Sequence, residues 1–206
     1  MNSLQVNQFK FITPDDYRDT QFFNWSRCYE WGYALKVIRD EYKERIKVHN
    51  TCAGPGEIHK QFHDELIKEN VEVTNSDIVI TEINKSFTNM TKHDLTKPWK
   101  NKEEFDLLLC ISTLEEIPTV NKRFKGLYKE RKKNLKSIFN NLYDQLKPDG
   151  RLIITLDYPD IDYEILEDIF DKKISNLENK LLSPYPMSSA GELSLLSVIL
   201  LDVKKL

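Results

Sequence analysis

Only three cysteines occur in the 206 residues, Cys28, Cys52 and Cys110. Their number is odd and no CxxC clip is present, which argues against a disulfide framework and leaves too few evident ligands for a structural zinc site. They read as buried or half-buried thiols. No apolar run approaches the roughly 20 residues that a membrane-crossing helix needs. Met1 to Lys10 lacks the basic-then-apolar order of a secretory leader, so the cytoplasm is the expected compartment. A basic surplus is missing too. Thirty Lys and Arg face 33 Asp and Glu, a net charge of −3, which excludes a general nucleic-acid coat and makes nucleic acid a poor candidate partner. Repeats, low-complexity tracts and linkers are absent. What remains is the composition of a soluble globular chain, 40% hydrophobic and 31% charged, long enough to bury a core without staples.

The first twenty residues are polar with scattered aromatics and read as a lead-in or lid. Asn24 is placed to cap a helix from Trp25 to about Tyr42, with Trp31, Ile38 and Tyr42 at helical spacing. A strand follows over Arg45 to Cys52, broken by Ala53-Gly54-Pro55-Gly56. Glu57 to Lys68 is helical by its Ile58, Phe62 and Leu66. Val71 to Asp77 is a second strand, and Ile83, Phe87 and Met90 suggest a further helix before a short extended piece near Asp94. Phe105 to Ser112 is a continuous apolar run of the kind found in parallel strands covered on both faces. A long helix over Val120 to Leu146, a turn at Lys147 to Gly150, a strand over Arg151 to Leu156, a helix near Ile161 to Phe170 and a strand near Leu193 to Val203 complete the chain. Strands alternating with helices predict a doubly wound α/β fold of about seven mostly parallel strands, with helices on both faces. Residues 1–44 form an N-terminal lead-in and helical lid packed on a core of 45–206, one domain overall.

In such a fold, ligands sit at the carboxyl ends of the strands. The first strand-to-helix turn contains Gly54 and Gly56, where backbone can approach a ligand closely. Asp77 ends the second strand, 21 positions after Gly56, where an acid can accept both ribose hydroxyls. Asp94 follows the third strand in the same register. In this order the sequence resembles the class I S-adenosylmethionine-dependent methyltransferases. Val48 to Gly56 resembles the family's strand and glycine turn, Ser76-Asp77-Ile78 its ribose-binding acid, and Asp94-Leu95 its adenine-side acid. Phe105 to Leu109, continuing to Leu114-Glu115-Glu116-Ile117, resembles its fourth strand and following loop. Leu146 to Leu152 resembles the turn before its fifth strand.

The resemblance implies S-adenosylmethionine as cofactor, held by Asn50, Cys52, Gly54, Gly56, Asp77, Ile78, Asp94, Leu95 and Ile111. Arg27 would reach its carboxylate from the N-terminal helix. Glu116, partly desolvated after the fourth strand, is the candidate base, with His59 in reserve. The implied activity is methyl transfer to a small acceptor, a saccharide or nucleotide-sugar hydroxyl being the preferred class. Two positions depart from the family pattern: Cys52 replaces the first glycine of the turn, and Asn50 replaces an acid, losing charge that would help hold a cationic ligand. A catalytically silent relative is therefore the competing reading. A nicotinamide enzyme fits less well, since His59 stands where GxGxxG needs its third glycine. His59 and His63 share a helix face, but no third ligand or HExxH order accompanies them, so no metal is expected. Residues 122–136 carry eight basic side chains in fifteen. They read either as a solvated helix face or as a dock for an anionic or phosphorylated acceptor.

Overall fold

Alternation decides the layers. In the strand Phe105–Ile111, Phe105, Leu108 and Cys110 face one core, while Leu107, Leu109 and Ile111 face another. Two faces so apolar must both be covered, and helices cover them. The computed structural model describes residues 4–22, 24–101, 103–121, 127–182 and 197–206. In chain order the elements are β1 (Leu4–Phe11), α1 (Arg27–Glu41), β2 (Ile46–Thr51), α2 (Glu57–Leu66), β3 (Val71–Asp77), β4 (Met90–Lys92), β5 (Phe105–Ile111), α3 (Tyr128–Tyr143), β6 (Leu146–Tyr158), α4 (Tyr163–Phe170) and β7 (Ser197–Lys205).

The seven strands form one sheet in the order β1-β7-β6-β5-β2-β3-β4. β2, β3, β4, β5 and β6 are parallel, and β7 runs antiparallel to both β6 and β1. Helices α1 and α2 pack on one face through Trp31, Leu35, Ile38, Phe62 and Leu66. The other face is covered by α3 and α4 through Leu135, Ile138, Phe139, Ile165 and Leu166. This is the mostly parallel, doubly wound sheet expected from the sequence.

Among the described residues the expected N-terminal helical lid is not found. The lead-in is instead the edge strand β1, paired with β7 from Leu4↔Lys205 to Phe11↔Ile199. Helix α1 lies against the sheet with Trp31, Ala34 and Leu35 fully buried, because its apolar side is broad enough to belong to the core. The helix expected around residues 83–90 reduces to one 3₁₀ turn, Asn84–Ser86. Thr81 and Asn84 cause this by bonding each other's backbone: Thr81 N–H donates to Asn84 Oδ1 (2.8 Å) and Asn84 N–H to Thr81 Oγ1 (3.2 Å). Such local bonds compete with a helical ladder. Residues 122–126 of the basic stretch and 193–196 of the last expected strand lie outside the described residues.

Candidate functional site

Parallel strands ending at one edge leave a crevice there. A cleft of about 700 Å³ occupies it. Its walls come from the turns after β2, β3, β4 and β5 and from the start of α1, and include Arg27, Cys52, Gly54, His59, Asp77, Ile78, Asp94, Leu95, Ile111 and Glu116. Two expected site residues are not among them. Asn50 is buried inside the sheet, where it faces Asn75 in register and donates from Nδ2 to Asn75 Oδ1 at 3.1 Å. The strand continues to Thr51, so its amide is used within the sheet. Gly56 caps the amino end of α2 outside the cleft wall.

The glycine turn is built by two left-handed residues, Cys52 (φ 56°) and Gly54 (φ 81°). Cys52 thus adopts the conformation that glycine takes without strain, at a cost of roughly 1–2 kcal/mol. Asp77, at the end of β3, fastens this turn. Its Oδ2 accepts the Gly54 N–H at 2.9 Å, and its Oδ1 accepts the Val79 N–H at 2.8 Å. Each carboxylate oxygen retains a further lone pair. Asp94 accepts both the backbone N–H (2.9 Å) and the hydroxyl (2.7 Å) of Thr96, which hold its carboxyl below the ordinary range.

His59 sits beside Gly54 so closely that a Cβ there would overlap its ring. Burial, then the nearby Arg27 charge, lower its pKa, so the ring is neutral. Its Nδ1 accepts the Gly56 N–H at 3.4 Å, which leaves the proton on Nε2. In this tautomer His59 offers a hydrogen-bond donor and has no free lone pair with which to act as a base. His63 is buried in α2 and stacked on Phe87 at 4.6 Å, away from the cleft. Among the described residues no group of three His, Cys, Asp or Glu could hold a metal ion.

Arg27 opens α1 and lies over the Trp31 ring, 5.6 Å from its centroid. It is ion-paired with Glu30, a fully buried carboxylate that also accepts the hydroxyls of Ser112 and Thr155. Against the cost of burial, the Arg27 charge and then these hydroxyl bonds keep Glu30 ionised. Sequence reasoning missed Glu30, although its i,i+3 spacing from Arg27 on one helix was a usable signal. It also took Glu116 as the partly desolvated carboxyl and gave Glu115 no role. The short turn Leu114–Glu116 puts Glu116 out in solvent at the cleft wall and Glu115 inside. The desolvated carboxyl is therefore Glu115. Burial, then the facing Asp157, push it well above the carboxylate range. The described part of the basic stretch faces solvent and the acids of α4, with Arg131 bonded to Asp162 at 2.7 Å and Lys132 to Asp168 at 2.9 Å.

No protein-family model matches this sequence, and no curated protein matches it. Solved structures do. A TehB-like SAM-dependent methyltransferase from Corynebacterium glutamicum superposes with a TM-score of 0.51 at 16% identity, over 83% of this chain and 86% of that one. The N-methyltransferase NodS from Bradyrhizobium japonicum, in complex with S-adenosyl-L-homocysteine, gives 0.53 at 12% identity, over 93% of each chain. The [4+2]-cyclase SpnF gives 0.54 at 10% identity, over 97% and 88%. A fold shared with a cyclase does not by itself choose the reaction. What these proteins have in common with this chain is the architecture, and it is the fold of the class I S-adenosylmethionine-dependent methyltransferases.

Proposed function

We propose that the protein is an S-adenosylmethionine-dependent methyltransferase acting on a small acceptor. One observation carries the reading: the glycine turn, Asp77 and Asp94 follow one another in chain order along a single cleft at the carboxyl ends of β2, β3 and β4. Its volume is in the range of about 300–1,000 Å³ usual for small-molecule sites, and its donor and acceptor set suits the cofactor. Asp77 would take the ribose hydroxyls on the lone pairs that Gly54 and Val79 leave free. Asp94 and Leu95 would flank the adenine, with Ile78 against its face. Arg27 and the His59 Nε2–H would meet the methionine carboxylate. Bound cofactor supplies an electrophilic methyl group on a sulfonium. The chain's contribution is to hold an acceptor in line with that methyl and to exclude water.

The loop after β5, with Thr113, Ile117, Pro118 and Thr119, is the wall along which an acceptor would enter. Glu116 at this wall is the group to take a proton from a hydroxyl acceptor. An amine that is already neutral needs no base. The saccharide expectation draws no support from this lining, and the acceptor this reading implies is a small oxygen or nitrogen nucleophile. A catalytically silent relative is the second reading. It is favoured by Asn50, whose amide is spent on Asn75 where an acid would help hold the cofactor.

Calorimetry with S-adenosylhomocysteine, followed by turnover of S-adenosylmethionine over a panel of hydroxyl and amine acceptors, tests both. Binding is expected in the wild type. Losing a charge-assisted bidentate contact in Asp77→Ala should weaken it by roughly 1.5–3 kcal/mol. Glu116→Gln should lower turnover of a hydroxyl acceptor about tenfold or more with affinity nearly intact. No binding, or tight NADH binding in its place, ends the methyltransferase reading. Binding without turnover on any acceptor favours the silent one.

A further inference from the structure

A second pocket, of about 330 Å³, adjoins the main cleft at the carboxyl end of the edge strand β4 and shares Ile78, His93 and Asp94 with it. Lys92, Lys97 and Lys100 line it, and all three are exposed. Lysines elsewhere on this surface are commonly matched with an acid, as in Lys47–Glu103, Lys60–Asp64 and Lys147–Asp106. These three have no ion pair among the described residues; Lys97 feels Asp94 only at longer range. Among the described lining residues Asp94 is the one carboxylate, and its Oδ1 accepts two hydrogen bonds from Thr96. With His93 held neutral by burial, three positive charges face one negative in a chain whose net charge is −3.

The frame under the lysines is fixed. His93 N–H donates to Asp77 O and Lys97 N–H to Asp94 O, both at 2.9 Å. The Trp99 ring is packed against His49 (4.5 Å) and His93 (4.8 Å). Two buried ring nitrogens of the pocket's lining residues, Trp99 Nε1 and His93 Nε2, have no hydrogen-bond partner. An indole N–H can only donate, and a buried donor without an acceptor calls for one. Net positive charge around a half-open cavity, with an unpartnered indole donor on one of its lining residues, suits a compact polyanion with several acceptor oxygens.

We propose that this pocket binds a phosphoryl group, carried either by inorganic phosphate or by a nucleotide whose base lies in the main cleft. The proposal does not rest on the methyltransferase reading, because the phosphoryl contacts it names, Lys92, Lys97 and Lys100, have no part in that reading.

The test titrates the full chain with inorganic phosphate and with adenosine 5′-monophosphate at about 50 mM salt, where screening is mild. It reads calorimetric heat and the Trp99 indole N–H resonance. Saturable binding that moves this resonance is expected. Lys92→Gln/Lys97→Gln/Lys100→Gln should weaken it about tenfold or more by removing the charge-assisted contacts. The charge-matched control Lys129→Gln/Lys133→Gln/Lys136→Gln, on exposed positions of α3, should leave it unchanged. Nucleotide binding that is tighter than phosphate and displaced by S-adenosylhomocysteine identifies the nucleotide as the source. Phosphate binding indifferent to S-adenosylhomocysteine, with the nucleotide no tighter, identifies the free ion. Equal weakening by both triple variants would reduce the effect to general charge attraction and overturn the proposal, as would the lack of saturable binding by either probe.

Discussion

Asp77 closes two turns at once, and this gives it a role that precedes any ligand. Both of its oxygens accept backbone N–H groups, from Gly54 and Val79. In Asp77→Asn the amide can accept only one of these, and its NH₂ must face the other donor. One backbone N–H loses its partner in either orientation. The ligand-free protein should therefore lose about 1–2 kcal/mol of stability, seen as a lower midpoint in urea; an unchanged midpoint would remove this bracing role. A second residue-scale prediction concerns protons. Asp157 is pushed up to about 7, chiefly by burial and then by the Glu30 charge, with Asp160 and Glu116 adding to the push and Arg27 opposing it. Its neighbour Glu115 is also raised, by burial and then by the Asp157 charge. The folded state thus keeps protons that the unfolded chain releases above about pH 4. Stability should fall as pH rises from there through about pH 7, by at most roughly 1.4 kcal/mol per pH unit for each such proton. Glu30, held low, contributes in the opposite sense and loses its share only in acid. Melting curves of Asp157→Asn should be flatter across the upper part of this window than those of the wild type; identical slopes would assign the titration elsewhere. Asp77 and Gly54 were legible in the sequence because their chemistry depends on order along the chain. Glu30 and Glu115 were not, because whether a carboxylate is buried depends on which side of a helix or 3₁₀ turn it lands.

At the scale of elements, α1 unites the sheet with the cleft. Trp31 is stacked on Phe62 at 5.1 Å and 7°, meets Phe22 edge-on at 5.1 Å, and carries the Arg27 guanidinium over its ring. Removing it opens a cavity between α1 and α2, so Trp31→Ala should cost about 3–5 kcal/mol in urea unfolding. A loss below about 1 kcal/mol would mean that the ring is not a core member. The apolar run of β5 and the periodicity of α2 marked those elements plainly. Strand β1 was hidden by a β-bulge. Its pairing with β7 shifts register between Val6 and Gln8, so the apolar positions Leu4 and Val6 fall out of phase with Phe9 and Phe11. A two-residue period broken in the middle reads as no period at all. The expected helix before β4 failed for a different reason. Ile83, Phe87 and Met90 have helical spacing, but Thr81 and Asn84 commit the backbone to a local turn.

For the molecule as a whole, the cleft is bounded by five separate segments: the start of α1 and the turns after β2, β3, β4 and β5. A ligand that touches all of them binds the folded chain and has no comparable site on the unfolded one. Linkage then requires a stability gain of RT ln(1 + [L]/Kd), about 2.7 kcal/mol at a ligand concentration of 100 Kd. For a domain of this size each kcal/mol moves the melting temperature by roughly 2–4 °C. S-adenosylhomocysteine at that concentration should accordingly raise it by about 5–10 °C. The same addition to Asp77→Ala should give a clearly smaller rise, and NADH should give none. This measurement separates the binding step from the chemical one. A silent relative that keeps the cofactor shows the full rise and no turnover, whereas a cleft shaped for some other ligand shows neither. If S-adenosylhomocysteine leaves the melting temperature unmoved at millimolar concentration, the glycine turn, Asp77 and Asp94 are bound together for another purpose, and the methyltransferase assignment fails at its first step.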